Sequence, residues 1–229
     1  CGTAMKIFKG CLCAATMVVL LCSFCFFHAE SETSITDAER FQQEYTAQNR
    51  KLDDHFRVMR TLDIDQENPM CYSSFKDVLQ RLDNQESFYV YFGFSKCPWC
   101  RAFVSPMLTA AKECDVSQIL YVDIYTSRDL YILKEGRPVQ LSSGDAGYHE
   151  LLQRFDALLS DYTLTDAKGQ EIAVGEKRIY APSLIRVQDG KAVQIYTSSS
   201  KLLNAYDEIT DDTLEDMLTG LRILFGEIE

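Results

Sequence analysis

The most regular hydrophobic pattern of the chain is a run of seven apolar, aromatic or glycine residues, Phe88–Phe94, which predicts a buried central strand. Directly after it, apolar residues recur every three to four positions over Arg101–Lys112, which predicts a helix with a kink at Pro106. The elements around these two are a strand from Met70, a helix over Ser74–Leu82 and a strand over Ile119–Tyr125. This alternation predicts an α/β core with parallel pairing in at least its first half.

Hairpin signals follow in the last quarter of the chain. Two strand-like segments, Ser183–Val187 and Ala192–Tyr196, are separated by four residues that include Asp189 and Gly190. An Asp-Gly pair between two such segments favours a tight turn, because both residues tolerate a positive φ. The sequence therefore predicts an antiparallel hairpin here.

A final helix and a long irregular region complete the domain. The helix is predicted over Thr213–Phe225, with Asp212 and Glu215 at capping-box spacing. The region Thr126–Glu176 has several turn signals and one predicted amphipathic helix, Tyr148–Leu159. This region either shapes a substrate groove or only replaces a connecting helix with longer loops.

The amino-terminal pattern is typical of an export segment. Lys6 and Lys9 precede an apolar run over Gly10–Phe27, and acidic residues follow it. We interpret residues 1–31 as a signal peptide or a signal anchor, with cleavage left open, and residues 1–4 as a possible upstream remnant. The orientation places the rest of the chain outside the cytoplasm, either secreted or held at the membrane by this segment.

The next part, residues 32–68, is predicted to be a helical extension. A helix is expected over Ser34–Arg60, and its heptad-like apolar stripe consists of Phe41, Tyr45, Leu52 and Met59. Such a helix could be a stalk or could pack onto the domain. We favour packing, because only two or three heptads are present.

Chain length, net charge and the positions of the cysteines narrow the range of possible functions. The chain has 229 residues, 46% of them hydrophobic, which suits one sizeable core with appendages. A formal net charge of −11 argues against nucleic acid as a partner. Of nine cysteines, the four outside the amino-terminal segment are Cys71, Cys97, Cys100 and Cys114. An exported domain can keep a disulfide oxidised.

The candidate chemistry is a pair of thiols at the junction between the central strand and the following helix. Cys97 is expected in the first turn of that helix, where unpaired N–H groups and the helix dipole favour a thiolate. Pro98 suits the first helical position, and Lys96 adds a cation beside the sulfur. Cys100, one turn further on, can resolve a mixed disulfide formed on Cys97. We therefore predict a redox-active Cys97–Cys100 pair.

A metal site and inert thiols are the alternatives. A structural zinc site needs two further ligands, usually as a second close pair. The remaining candidates are scattered along the chain: Cys71, Cys114, His55 and His149. We therefore expect no metal and no cofactor other than the redox-active disulfide, and we leave the pairing of Cys71 and Cys114 open.

These residues carry a family resemblance over about Met70–Phe225. The strand, the motif Cys97-Pro98-Trp99-Cys100, the helix, and Tyr180-Ala181-Pro182-Ser183 opening a hairpin resemble the thioredoxin superfamily. Within it, the chain is similar to exported bacterial thioredoxin-like proteins, including those described as bacteriocin-transport accessory proteins. The resemblance implies an α/β thioredoxin-like fold over residues 69–229, a central mixed sheet flanked by helices, with an insertion at about 126–176.

The resemblance also implies site residues and partners. Cys97 and Cys100 would be catalytic, Pro182 would be cis, and the substrate would be bound by Pro98, Trp99, Ala181 and Pro182. The partners would be protein thiols or disulfides and a redox partner, with the direction of exchange open. The alternative is a non-catalytic accessory or peptide-binding module for an export system.

One departure from the family pattern concerns proton transfer. Thioredoxin has a buried aspartate six residues before its first cysteine, and Tyr91 stands at that position here. Glu86 lies too early in the strand to replace it. The sequence therefore leaves open which group deprotonates Cys100.

Overall fold

The computed structural model describes residues 35–226, and the apolar segment predicted at residues 1–31 lies outside them. The helices are α1 (Asp37–Thr46), α2 (Phe75–Asp83), α3 (Pro98–Glu113), α4 (Ala146–Arg154) and α5 (Asp211–Phe225), with a 3-10 turn at Asp156–Leu158. The strands are β1 (Met70–Tyr72), β2 (Phe88–Gly93), β3 (Ile119–Asp123), β4 (Leu130–Lys134), β5 (Arg137–Ser142), β6 (Ser160–Thr165), β7 (Glu171–Arg178), β8 (Ser183–Gln188) and β9 (Lys191–Tyr196). Within residues 35–226, no helix has the length and apolar character needed to cross a bilayer.

The core is a five-stranded mixed sheet in the order β1-β3-β2-β8-β9. The first three of these strands run parallel, and β8 and β9 join them as an antiparallel hairpin. The turn of that hairpin has positive φ at both Asp189 and Gly190, as the sequence predicts. The α/β class and the parallel first half are confirmed. The central strand β2 is buried from Val90 to Gly93, as its apolar run predicts.

Helices α3 and α5 pack together beside the sheet. The start of α5 differs from the prediction, because Thr210, and not Asp212, is the N-cap residue. Its side-chain oxygen accepts from the N–H of Thr213 at 3.2 Å, so the helix begins earlier than its apolar period indicates. The inward face of α5 includes Met217, Leu218 and Leu221, which are buried.

The predicted long amino-terminal helix was wrong in its length. Helix α1 ends at Thr46, and the chain then turns, with positive φ at Arg50 and Phe56. The heptad-like stripe therefore does not continue, and Leu52 is 56% exposed. Within α1, Tyr45 and its neighbour one turn earlier, Phe41, are fully buried in the core, so this helix packs onto the domain.

The region predicted to be largely irregular contains two hairpins, β4–β5 and β6–β7. Its turn signals mark the hairpin turns, at Gly136 and Gly169, both of which have positive φ. The predicted helix is shorter than expected: α4 ends at Arg154, and a 3-10 turn follows. The strands escaped prediction because they have little buried surface: β5 has no buried residue, and β7 has one, Arg178.

Candidate active site

Cys97 lies at the start of α3, where it is the N-cap residue. Its sulfur accepts a hydrogen bond from the main-chain N–H of Cys100 at 3.4 Å, within the first helical turn. Pro98 occupies the first turn, where no N–H donor is needed. Cys97 is 6% exposed and Cys100 is fully buried, and both are thiols in this structure. The end of α3 therefore holds one partly accessible sulfur above one enclosed sulfur.

The loop before β8 forms the second wall of the site. The Cys97 thiol donates to the main-chain carbonyl of Ala181 at 3.4 Å, and the Ala181–Pro182 peptide bond is cis. Pairing of β8 with β2 puts Ser183 opposite Phe92, so this loop reaches the end of β2 from which the chain enters α3. Residues 84 positions apart are thereby brought into contact.

The two thiols have opposite pKa shifts. A hydrogen bond from the Cys100 thiol lowers the pKa of Cys97, and this effect outweighs burial. The N–H groups of Cys100 and Trp99 act in the same direction, as expected at a helix N-terminus. Burial, together with the nearby Cys97, raises the pKa of Cys100 well above its ordinary value. Of the two thiols, Cys97 is therefore the one that more readily forms a thiolate, and Cys100 is the one that more readily keeps its proton.

Two cations lie near Cys97. The Arg128 guanidinium is 4.9 Å from the centre of the Phe94 ring, and its charge contributes to the lowered pKa of Cys97. The Lys96 ammonium lies 5.5 Å from the centre of the Tyr125 ring. That Lys96 stabilises the thiolate stays a prediction. Sequence reasoning did not identify Arg128 as a neighbour of Cys97, because the two residues are distant in the sequence. The available signal was that Arg128 follows β3, which ends at the same sheet edge as the strand before Cys97.

An open cleft of about 800 Å³ runs beside Cys97. Its walls come from the segment after α1, the start of α3 and the segment before α5. Its apolar and aromatic lining includes Leu52, Met59, Phe94, Pro98, Trp99, Tyr125 and Tyr206. Trp99 is 36% exposed and Tyr125 is 48% exposed. The cleft can therefore hold an extended polypeptide with apolar side chains next to the sulfur.

A group of tyrosines lies beneath Cys100. Tyr91, on β2, hydrogen-bonds the Cys100 thiol and stacks on Phe103 at 5.9 Å between ring centres. The Tyr91 hydroxyl is 3.2 Å from that of Tyr45, and both residues are fully buried. The sequence had marked Tyr91 only as a departure from the family pattern. Nothing in the spacing of Tyr45, on a helix 46 residues earlier, indicated this contact.

Two of the other polar candidates, His149 and Cys71, have structural partners. His149 Nε2 lies 3.0 Å from the buried carboxylate of Asp129, and the Cys71 thiol donates to Asp37 at 3.4 Å. His55 lines the cleft beside Cys97. Within residues 35–226, no group of three or more His, Cys, Asp or Glu side chains is arranged to hold a metal ion.

No family model matches this chain, and no curated protein shows significant similarity to it. The geometry around Cys97 and Cys100 therefore carries the functional argument, together with the sequence motif.

Proposed function

We propose that this chain is an exported thiol–disulfide oxidoreductase with a thioredoxin-like fold, exchanging its Cys97–Cys100 pair with protein substrates. The single observation that carries the proposal is the placement of the Cys97 sulfur. It accepts from the Cys100 N–H at the start of a helix and lies 3.4 Å from the Ala181 carbonyl. Such a position favours a nucleophilic thiolate and leaves a resolving thiol one turn away.

The fold assignment is supported by the sheet. Three parallel strands are followed by an antiparallel hairpin, and the residue before the proline that opens this hairpin, Ala181, accepts a hydrogen bond from the Cys97 thiol. Helices α3 and α5 cover the sheet near the site. The insertion adds two hairpins and α4 before Pro182, and α1 adds a helix to the core.

The reductive exchange takes place in two displacement steps. The Cys97 thiolate attacks one sulfur of a substrate disulfide, forms a mixed disulfide and releases the other substrate sulfur as a thiolate. Cys100 then loses its proton and attacks the Cys97 sulfur, which releases the second substrate thiolate and closes the Cys97–Cys100 disulfide. Two electrons pass from the cysteine pair to the substrate, and oxidation of a substrate dithiol is the reverse.

Export and membrane attachment belong to the same proposal. They rest on the basic and then apolar pattern of residues 1–31, which lies outside the described part of the chain. An extracytoplasmic location suits protein disulfide chemistry. The partners would be protein thiols or disulfides, a redox partner that resets the pair, and the membrane through this segment.

The experiment is a cycling assay on the purified full chain. We expect the reduced chain to reduce the disulfides of insulin, and Cys97→Ser to abolish the activity. Cys100→Ser should trap substrates on Cys97 as mixed disulfides. A chain that cannot be cycled between the dithiol and the Cys97–Cys100 disulfide would contradict the proposal.

A non-catalytic peptide-binding role is the second candidate, and the cleft favours it. Its lining includes three partly exposed apolar side chains, Leu52, Trp99 and Tyr125. In that case an extended peptide would bind without thiol exchange. Cys97→Ser would then keep peptide binding and the cellular effect, whereas the oxidoreductase proposal requires the effect to be lost.

A further inference from the structure

The Cys100 thiol is enclosed, although the proposed reaction requires it to lose a proton. Its side chain has no exposed surface, and burial raises its pKa. Solvent therefore cannot accept this proton directly. A side-chain hydrogen bond with Tyr91 acts to lower the pKa of this thiol, against the effect of burial. Because Cys97 is the other half of the exchanging pair, Tyr91 links Cys100 with the core beyond that pair.

From Tyr91, hydroxyl groups continue through the core to a carboxylate. The Tyr91 hydroxyl is 3.2 Å from the Tyr45 hydroxyl. The Tyr121 side chain packs against Tyr45, and its hydroxyl acts to lower the pKa of Tyr45. The Tyr121 hydroxyl donates to Glu44 Oε1 at 3.4 Å. The Tyr121 ring contacts both of the other rings, with centres 5.7 Å apart for Tyr91 and Tyr121 and 6.1 Å apart for Tyr45 and Tyr121.

Glu44 brings this series of hydroxyls to solvent. Its side chain is half-buried and lines an open surface cleft of about 530 Å³ with Arg40 and Asp123. The Tyr72 hydroxyl donates to its other oxygen, which holds the carboxylate in place. A proton that reaches Glu44 can therefore pass to water.

We propose that Tyr91, Tyr45 and Tyr121 form a proton relay between the Cys100 thiol and the Glu44 carboxylate. This inference rests on the proposed oxidoreductase function and deepens it, because it names the group that accepts the Cys100 proton. Tyr91 contacts the reacting thiol, whereas Tyr45, Tyr121 and Glu44 act through it.

Every proton that moves along the relay has a donor and an acceptor. The Cys100 proton moves to the Tyr91 oxygen while each hydroxyl passes its own proton to the next, and Glu44 becomes a carboxylic acid. A hydroxyl can donate and accept at once, so each tyrosine stays neutral. The Cys100 thiolate then attacks the Cys97 sulfur of the mixed disulfide, and Glu44 later releases its proton to water.

The tyrosines are suited to passing a proton and unsuited to keeping a charge. Burial raises the pKa of Tyr91 and of Tyr45 well above the ordinary value, and burial also raises that of Tyr121. None of the three can therefore serve as the final base at neutral pH. Glu44 ends the series with a carboxylate, whose oxygens can accept a proton from Tyr121.

Two features of the fold hold the relay together. Gly93 has no side chain at the point where a Cβ would lie 2.4 Å from the Tyr91 hydroxyl oxygen, so the ring can extend toward α3. The buried Arg101 guanidinium donates to the main-chain carbonyl of Tyr45 at 2.7 Å. This contact ties α1 to the residue that follows Cys100, and so fixes the position of Tyr45.

The test follows mixed-disulfide resolution in the reduced full chain by rapid quench. A disulfide-linked peptide dimer is the substrate, and peptide mass spectrometry quantifies the Cys97–peptide and Cys97–Cys100 disulfides. We expect Tyr91→Phe, Tyr45→Phe and Glu44→Gln to lengthen the lifetime of the mixed disulfide by about 10-fold to 100-fold. Its rate of formation should stay within about twofold, because Cys97 attacks first and needs no relay.

Matched controls are available. Within residues 35–226, the Tyr196 hydroxyl is buried without a hydrogen-bond partner, and its ring packs on Phe103. Tyr196→Phe therefore removes a core hydroxyl outside the relay. Glu150→Gln removes an exposed carboxylate on α4. Both controls should resolve the mixed disulfide at the wild-type rate.

A pH profile separates a relay from a packing effect. The groups that face Glu44 are Arg40, Asp123, Tyr72 and Tyr121, and those that face Cys100 are Cys97, Tyr91, Tyr45 and Arg128. With the carboxylate as base, the wild-type resolution rate should change little between about pH 6 and 8. In Glu44→Gln, hydroxide must replace it, so the rate should rise roughly tenfold per pH unit.

The outcomes are distinguishable. If the wild type resolves the mixed disulfide and all three variants match the controls, the relay is wrong and the oxidoreductase function stands. A wild-type chain that never forms the Cys97–peptide disulfide overturns the proposed function and the relay with it. Should Tyr91→Phe fail to fold, the half-buried Glu44→Gln and its pH profile still decide the question.

Discussion

The guanidinium of Arg101 donates to the main-chain carbonyl of Tyr45 at 2.7 Å, although the two residues are 56 positions apart. Arg101 is fully buried, and it also donates to the carbonyls of Arg60 and Ser95 and to the side-chain oxygen of Asn49. A buried cation satisfied by main-chain oxygens holds several segments at once. It joins α1 and the segment after it to α3.

Replacing this side chain tests its structural role. We expect Arg101→Met to lower the free energy of unfolding by about 3 kcal/mol, because several buried acceptors lose their donor. Urea unfolding of the full chain measures the change. Arg154→Met, on an exposed ion pair with Asp83, is the control and should cost at most about 1 kcal/mol. Equal losses for the two variants would contradict the interpretation.

A second prediction concerns the nucleophile. The hydrogen bond from the Cys100 thiol is the largest cause of the lowered pKa of Cys97. Cys97 should therefore react with iodoacetamide at pH values where a free cysteine, with a pKa of about 8.5, is mostly protonated. Cys100→Ala removes the donor and should move the midpoint of Cys97 alkylation upward. Mass spectrometry of the Cys97 peptide gives the profile, and an unchanged midpoint would refute the assignment.

A third prediction compares the two cations near the sulfur. Arg128→Gln should raise the pH midpoint of Cys97 alkylation, since the charge of Arg128 lowers the pKa of Cys97. Lys96→Gln tests the hypothesis drawn from the sequence, and its ammonium lies over the Tyr125 ring. We expect the larger shift from Arg128→Gln. The opposite order would assign the role to Lys96.

A fourth prediction concerns the space beside Tyr91. A Cβ at Gly93 would lie 2.4 Å from the Tyr91 hydroxyl oxygen, and both residues are on the buried strand β2. Gly93→Ala should therefore cost about 1–3 kcal/mol of stability, as overpacking of a core does. The same substitution in a Tyr91→Leu background should cost less, because the clashing atoms are gone. Equal costs in the two backgrounds would show that the contact is unimportant.

The sequence predicts best those elements that have a clear pattern of apolar residues or a characteristic turn sequence. The run Phe88–Phe94 and the Asp189-Gly190 turn are decided by neighbours in the chain, so the strand and the hairpin appear where expected. The length of the first helix was overestimated, because an apolar stripe does not reveal where the chain turns. Strands with little buried surface, such as β7, carry no such signal.

Some features of the candidate site could likewise be predicted from neighbouring residues, and others could not. Cys97, Cys100 and their position at the start of a helix follow from adjacent residues, since a strand, two thiols and a helix occur in direct succession. The contact of Cys97 with Ala181 depends on the pairing of β8 with β2, which the motif on its own did not specify. The resemblance to a known family supplied that expectation.

By itself, the sequence determined the α/β class, the central strand and a thiol pair at the head of a helix, because each depends on residues a few positions apart. Only the tertiary structure decided what surrounds those thiols. The hydroxyls of Tyr45 and Tyr91 meet because α1 packs on the core, and Arg128 approaches Cys97 because β3 and β2 end at the same sheet edge. Contacts of this kind arise from packing between distant segments, which no local period encodes.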